Sequence, residues 1–311
     1  MAPLLKTTQP LLKFLTKELL MKRSMKLSTT IKAITMAALA SVSISTFAAD
    51  VAPTSPQLSV QLWSIKDDVA KDFEGTLKKL KAMGFQGVEF AGNFGAYAND
   101  PKGLKAFLEK TGLKASGAHV HFDKLSPENF DATVAFYKAI DCKYLIIPMD
   151  ERAFTPEGAK AVAADLEAVQ KKLAPHGMHT GYHNHKPEML GEKGKTPWDV
   201  IGKNTEQAVI LQQDVGWTEV AGKDPVEFVK AYPGRTITTH YKASAPEKGN
   251  KEHPIIGQDT TDWKALINAN RTVGGTLWLV VEQESYPEGL TPLQSVEASL
   301  KGLQKIIAET K

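Results

Sequence analysis

From residue 57 onward the chain alternates short β-rich runs with runs of helical period, and it does so eight times. QLSVQLWSI (57–65) precedes DFEGTLKKLKAMG (72–84), in which Phe73, Leu77, Leu80 and Met83 recur at helical spacing. QGVEFAG (86–92) precedes a helix closed by Gly112, an expected C-cap. LKASGAHVHF (113–122) precedes SPENFDATVAFYKAI, with Ser126 expected to cap and Pro127 at the first helical position. KYLIIPMD (143–150), MHTGYHNH (178–185), AVILQQDVGW (208–217), RTITTHYKAS (235–244) and LWLVVEQE (277–284) complete the set, each followed by a helical run. Eight units in the 255 residues 57–311 predict an α/β fold, a single-domain (β/α)8 TIM barrel. A doubly wound sheet would want a glycine-rich first turn, and no GxGxxG follows a strand here.

The first 48 residues do not share this rhythm. They carry Lys6, Lys13, Lys17, Lys22, Arg23, Lys26 and Lys32 against Glu18 alone, a local charge of +6. From Met25 a basic start, an apolar stretch and a small-residue end with Thr46 and Ala48 at the −3 and −1 positions are the layout of a secretory signal peptide. Residues 1–24 read as a weaker lead-in. The expected organisation is therefore 1–48 N-terminal extension and signal peptide, 49–56 a Pro/Ser linker, and 57–311 the barrel, in a periplasmic or secreted protein. The apolar stretch is short and broken by Ser and Thr, so no stable membrane anchor is expected after cleavage. Cys142 is the only cysteine, which excludes an intrachain disulfide and leaves a buried apolar role.

With the signal segment removed, the whole-chain charge of +3 becomes −3 over the remaining 263 residues. Arg152, Arg235 and Arg271 are the only arginines after residue 48. A nucleic-acid partner, which would need a basic face, is not expected.

In a barrel of this kind chemistry is assembled at the C-terminal ends of the strands. His119 and His121 end strand 3, His183 and His185 end strand 5, Asp214 ends strand 6, His240 ends strand 7, and Glu282 with Glu284 end strand 8; Glu89 lies in strand 2. Any one of these has a bland reading as a loop or capping residue. Four consecutive strands ending in His, Asp or Glu point to a metal site, because an acid on the inner face of a barrel costs energy unless paired or ligated. Carboxylates mixed with imidazole and no thiolate favour one divalent ion, Mn2+ first, with Zn2+, Co2+ and Fe2+ as alternatives. His253, in the long loop after strand 7, is a candidate lid contact.

The runs VQLWSIKDD, GFQGVEFAG, GAHVHF, GYHNHKPE, LQQDVGW, GKDPVEFVKAYPGR, THYKA and VVEQES resemble, in order, the sugar phosphate isomerase/epimerase proteins of the xylose-isomerase-like TIM barrel superfamily, the YHNHxxE branch in particular. The resemblance covers residues 57–307. It implies one divalent metal held by an acid from strand 5 with Asp214, His240 and Glu282. Strand 5 departs from the usual Glu-Asn, reading His183-Asn184, so the fourth ligand is either His183 or Glu188; charge balance favours Glu188. Strand 7 also departs, with Ala243 where relatives carry Asp.

A metal on adjacent sugar oxygens acidifies the C–H beside a carbonyl, and a base and an acid then move the proton. Glu282 and His183 are the expected base and acid, with Lys242 polarising a substrate oxygen or instead pairing with Glu284 or Asp214. Glu89, His119, His121 and His185 are expected to grip hydroxyls and Trp63 to stack on a sugar face. Export and the lack of a phosphate-cradling loop point to a non-phosphorylated sugar or keto-sugar. The expected activity is isomerisation or epimerisation, with 3-keto-glycoside lyase or hydratase chemistry as the alternative. A nuclease and a sugar-binding protein without turnover are the rival classes. Oligomeric state is not legible.

Overall fold

In the computed structural model, which describes residues 55–244 and 255–310, the eight runs form eight parallel strands. They are β1 (Gln57–Gln61), β2 (Gly87–Phe90), β3 (Lys114–His119), β4 (Tyr144–Ile147), β5 (His179–His183), β6 (Ile210–Gln212), β7 (Thr238–Tyr241) and β8 (Trp278–Val281). Pairing runs β6-β5-β4-β3-β2-β1-β8-β7. The ring is completed between β6 and β7 by a bridge between Asp214 and His240, with His240 N donating to Gln213 O at 2.8 Å. The expected (β/α)8 barrel is therefore the fold. The expected signal segment, residues 1–48, and residues 49–54 of the expected linker lie outside the described residues, and no helix among the described residues is long and apolar enough to cross a membrane.

The crossovers carry α1 (Phe73–Met83), α2 (Pro101–Thr111), α3 (Phe130–Ala139), α4 (Pro156–Leu173), α5 (Pro197–Lys203), α6 (Pro225–Ala231), α7 (Trp263–Ala269) and α8 (Pro292–Glu309). Their starts are written locally: Asp72, Asp100, Thr155, Thr196, Asp224, Asp262 and Thr291 each accept a first-turn backbone N–H. Where Pro opens a helix, its missing N–H is one the helix would leave unpaired anyway. One start differs from expectation. Residues 127–129 form a turn, Ser126 offers its carbonyl to Asn129 and Phe130, and α3 begins at Phe130.

Val60, Val88, Leu145, Tyr182, Leu211 and Leu279 of the strands are buried in one cluster with Leu77, Leu104, Leu166, Ile201, Leu266 and Leu300 of the helices. Each such side chain stabilises the fold by about 1.5–3 kcal/mol. The other strand positions build a polar barrel interior: Ser59, Gln61, Glu89, Ser116, Gln212, Thr238 and His240 are all fully buried. The β2–β3 register shifts between Val88 and Glu89, so that Val88 faces Ala115 and Glu89 faces Gly117. Gly117 is required there, because a Cβ at that position would stand 2.9 Å from Glu89 Oε2.

Candidate active site

β5 ends on His183, β7 carries His240, Glu282 follows β8 directly, and Asp214 is the second residue after β6. One ligand atom from each of His183, Asp214, His240 and Glu282 lies within 4.8 Å of the others, and all four residues are buried. His183 Nε2 is 3.9 Å from Asp214 Oδ2, and His240 Nδ1 is 3.1 Å from Glu282 Oε2. Asp214 also caps a short helix (Val215–Val220) by accepting Trp217 N on Oδ1 at 2.7 Å, which leaves Oδ2 buried with no hydrogen-bond partner. The nearest positive charge to that oxygen is the Lys242 ammonium, at 3.5 Å and outside hydrogen-bond geometry, so it still has a lone pair to give to an ion. Two imidazoles and two carboxylates, one with an orphaned oxygen, fit a divalent ion of borderline hardness.

Electrostatics follow from burial and these contacts. Burial drives the His183 imidazole well below its ordinary value, and the neighbouring His240 and His119 add to it. His183 is therefore a neutral ring. Burial pushes Asp214 up to about 8, against the pull of Lys242. Burial would also raise Glu282, but Lys242 and His240 outweigh it and hold the carboxyl well below the usual range. His240 goes the other way from His183: burial is overcome by Glu89 and Glu282, and the ring is raised to about 10.

Lys242 stands over the group. Its Nζ is 3.5 Å from Asp214 Oδ2 and 3.7 Å from Glu282 Oε2, it pairs with Glu284, and it lies 4.4 Å from the Trp217 ring centroid. Gly216 permits this close approach, since a Cβ there would sit 2.9 Å from Lys242 O. The expected alternative partners, Glu284 and Asp214, are thus both engaged.

Glu188 does not join the group. It sits in a turn of 3-10 helix (Pro187–Met189), where Oε1 accepts from Tyr182 Oη at 2.9 Å and Oε2 from His185 N at 3.0 Å. Both oxygens are spent, and burial raises its carboxyl above the usual range. Of the two strand 5 candidates, the favoured Glu188 is spent pinning the loop that holds His185, and His183 is the one grouped with Asp214, His240 and Glu282. Asn184, between them, accepts Asp214 N on Oδ1 at 2.9 Å and ties β5 to the β6 end.

The other expected residues divide. Glu89 is fully buried, with Oε1 2.6 Å from His240 Nε2 and 3.3 Å from His119 Nε2. It lies beneath the cluster and grips a ring. His119 stacks on His240 at 5.2 Å between centroids and 12°. His185 packs against His183 at 5.0 Å and Trp217 at 5.7 Å, and burial lowers it to about 4. His121 is exposed, because β3 stops at His119, and it is not among the grouped donors. Trp63 is 47 % exposed on the turn after β1, with Lys66 Nζ 4.0 Å from its ring centroid, so it is not a core residue. His253 lies outside the described residues. Gln212, inside β6, was missed: its carbonyl meets His119 and His183 and its amide meets Glu89 and Thr238.

Comparison with known proteins agrees with this architecture. Residues 77–306 match the family model described as xylose isomerase-like TIM barrel. Inosose dehydratase of Lacticaseibacillus casei is 23% identical over 261 residues, covering 71% of this chain and 85% of that one. Inosose dehydratase of Clostridium botulinum (strain Alaska E43 / Type E3) is 24% identical over 287 residues, covering 78% and 93%. Among solved structures, a sugar phosphate isomerase/epimerase from Parabacteroides distasonis superposes with a TM-score of 0.66 at 25% identity, over 80% of this chain and 98% of that one.

Proposed function

The chain belongs to the xylose isomerase-like TIM barrel family, and from that premise we propose that it is a divalent-metal-dependent isomerase or epimerase that removes the proton beside the carbonyl of a non-phosphorylated sugar or keto-sugar. The observation that carries this reading is the convergence of His183, Asp214, His240 and Glu282 at the ends of β5 to β8 with the Lys242 ammonium beside them. Those four residues would hold the ion, whose charge acidifies a C–H next to a sugar carbonyl. Mn2+ suits the two-carboxylate, two-imidazole set.

Glu282 is the base: its carboxyl stays ionised, and it follows β8 at the C-terminal end of the barrel, where the four residues converge. Lys242 carries a proton and lies 3.7 Å from Glu282, placed to stabilise the negative charge that develops on a substrate oxygen. Trp63, exposed at the rim, offers an apolar face to a sugar ring. The reading of residues 1–48 as an export signal supports a substrate without phosphate.

Dehydration is the second reading. It shares the first proton transfer and then expels a β-hydroxyl, and the relatives named inosose dehydratase favour it. Lys242 is the residue placed to protonate that leaving oxygen. Incubating keto-sugars, 3-keto-glucosides and keto-inositols with the Mn2+-loaded protein in D2O and following proton NMR tests both. Loss of the α-proton signal with the carbon skeleton retained supports isomerisation or epimerisation, and a new alkene signal supports dehydration. Binding by calorimetry without any solvent exchange would leave a sugar-binding protein.

A further inference from the structure

We infer that Gln212 and Glu89 are positioning residues that fix which nitrogen of each cluster histidine is free to bind an ion. Five hydrogen bonds settle the proton directions. Trp63 N–H can only donate, and it meets Gln61 Oε1 at 3.1 Å, so the other end of that side chain, Nε2, donates to Glu89 Oε1 at 2.8 Å. Glu89 is thereby an acceptor on that oxygen, and His240 Nε2, 2.6 Å away, donates to it. The second oxygen, Oε2, faces Gln212 Nε2 at 2.8 Å, and the same nitrogen reaches Thr238 Oγ1 at 2.7 Å. With its amide nitrogen committed on that side, Gln212 turns its carbonyl to the histidines.

Gln212 Oε1 then accepts from His119 Nε2 at 2.8 Å and from His183 Nδ1 at 3.2 Å. Its two lone pairs are filled. His183 therefore keeps its proton on Nδ1 and presents Nε2 toward Asp214, while His240 has Nε2 committed to Glu89 and turns Nδ1 to Glu282, so that Nδ1 is the nitrogen that gives up its proton to an ion. The two rings are held in opposite senses by one carboxylate, through one amide. His119 also falls into place. Its Nε2 is a donor to Gln212, so the group His119, His183 and His240, whose ligand atoms also come within 4.8 Å of one another, does not make a second ion site. The inferred stoichiometry is one ion per chain, at Asp214 and Glu282. Residues of this kind behind metal ligands alter affinity by about 10–100-fold when removed.

The proton placement stands on hydrogen-bond geometry alone, and its consequence for affinity rests on the metal-centre reading, so two measurements separate them. Long-range 1H–15N correlation on 15N-histidine-labelled protein, without metal, reads the protonated nitrogen of His183 directly. The expected wild-type spectrum shows His183 protonated at Nδ1 and bare at Nε2. A wild-type His183 protonated at Nε2 overturns the inference with no variant needed. Gln212→Met, close in volume but with only a weakly accepting thioether, is expected to release the His183 proton to both nitrogens, and Gln212→Glu, which keeps an acceptor oxygen and, protonated against Glu89, a donor on the other side, is expected to restore Nδ1. An unchanged His183 signature in Gln212→Met also overturns the inference. Mn2+ titration calorimetry on the same proteins should give one ion in wild type and about 10–100-fold weaker binding in Gln212→Met. If the tautomers behave as stated and no protein binds Mn2+, the metal reading fails and the positioning inference survives for the rings themselves.

Discussion

Glu89 on β2 and His240 on β7 are 151 residues apart and meet at 2.6 Å between Oε1 and Nε2, both fully buried. The contact crosses the barrel interior, and on its other side the same imidazole faces Glu282 Oε2 at 3.1 Å. An imidazole between two carboxylates holds its proton tightly, as the rise to about 10 reflects.

That proton has to leave when an ion arrives at Nδ1, and so does the proton that Asp214, raised to about 8, carries at neutral pH. Metal binding at pH 7 should therefore release between one and two protons per ion, and affinity should climb by roughly tenfold or more per pH unit from 6 to 8. Calorimetry in two buffers of different ionisation enthalpy measures the number. Binding that releases no protons would take both residues out of the ligand set.

His183→Ala and Glu188→Gln separate the two strand 5 candidates. Removing His183 takes a donor from the cluster and should abolish stoichiometric metal binding. Glu188→Gln should keep one ion per chain, since Glu188 is not among the grouped donors, and cost no more than about 1 kcal/mol, because the amide oxygen can accept from His185 N while its nitrogen donates to Tyr182 Oη, whose proton turns to Asp150 O. Metal analysis and thermal denaturation read the two effects. A Glu188→Gln protein that is stable but metal-free would restore the charge-balance choice.

That choice shows how much of the site the residues alone convey. Alternating β and helical runs define the barrel, and because chemistry collects at strand ends, Asp214, His240 and Glu282 can be located from their strand positions. Glu188 cannot. Five residues past His183 its direction depends on a 3-10 turn, and there it pairs with Tyr182, the neighbour of His183 on β5, whose side chain is buried in the outer apolar cluster. Gln212 was passed over for a different reason. It neither titrates nor sits at a loop, and its importance lies in contacts with residues 29, 93 and 123 positions away. Residues 1–48 contribute a legible signal in composition and nothing to the described structure.

Lys242→Met should affect binding and turnover in opposite directions. The ammonium sits 3.5 Å and 3.7 Å from two prospective ligand carboxylates and opposes any cation placed between them. Removing it should tighten Mn2+ binding by more than about tenfold, while proton-transfer chemistry falls by about 10²–10⁴. Parallel calorimetry and solvent-exchange rates decide. Weaker metal binding in the variant would mean that Lys242 organises the carboxylates rather than competing for them.

Stability of the metal-free protein should fall as pH rises from 6.5 to 8. Asp214 has a folded value raised from 3.8 to about 8, so its contribution is present below 3.8 and lost progressively toward 8. His240, raised from 6.5 to about 10, contributes fully below 6.5 and loses that stability toward 10. In the shared window both act in the same direction. Below 6.5 they diverge from His185, whose depression to about 4 removes stability as pH falls, so the slope is cleanest above 6.5. Asp214→Asn keeps the buried polar shape without the ionisation and should flatten the slope by about half between 6.5 and 8, leaving the part due to His240. Saturating Mn2+ should reverse its sign in wild type, because the ion binds the deprotonated form. Denaturant melts at pH 6.5, 7.2 and 8, with chelator and with Mn2+, measure all of this; a metal-free slope equal in wild type and Asp214→Asn would show that Asp214 is already ionised and paired in the folded protein.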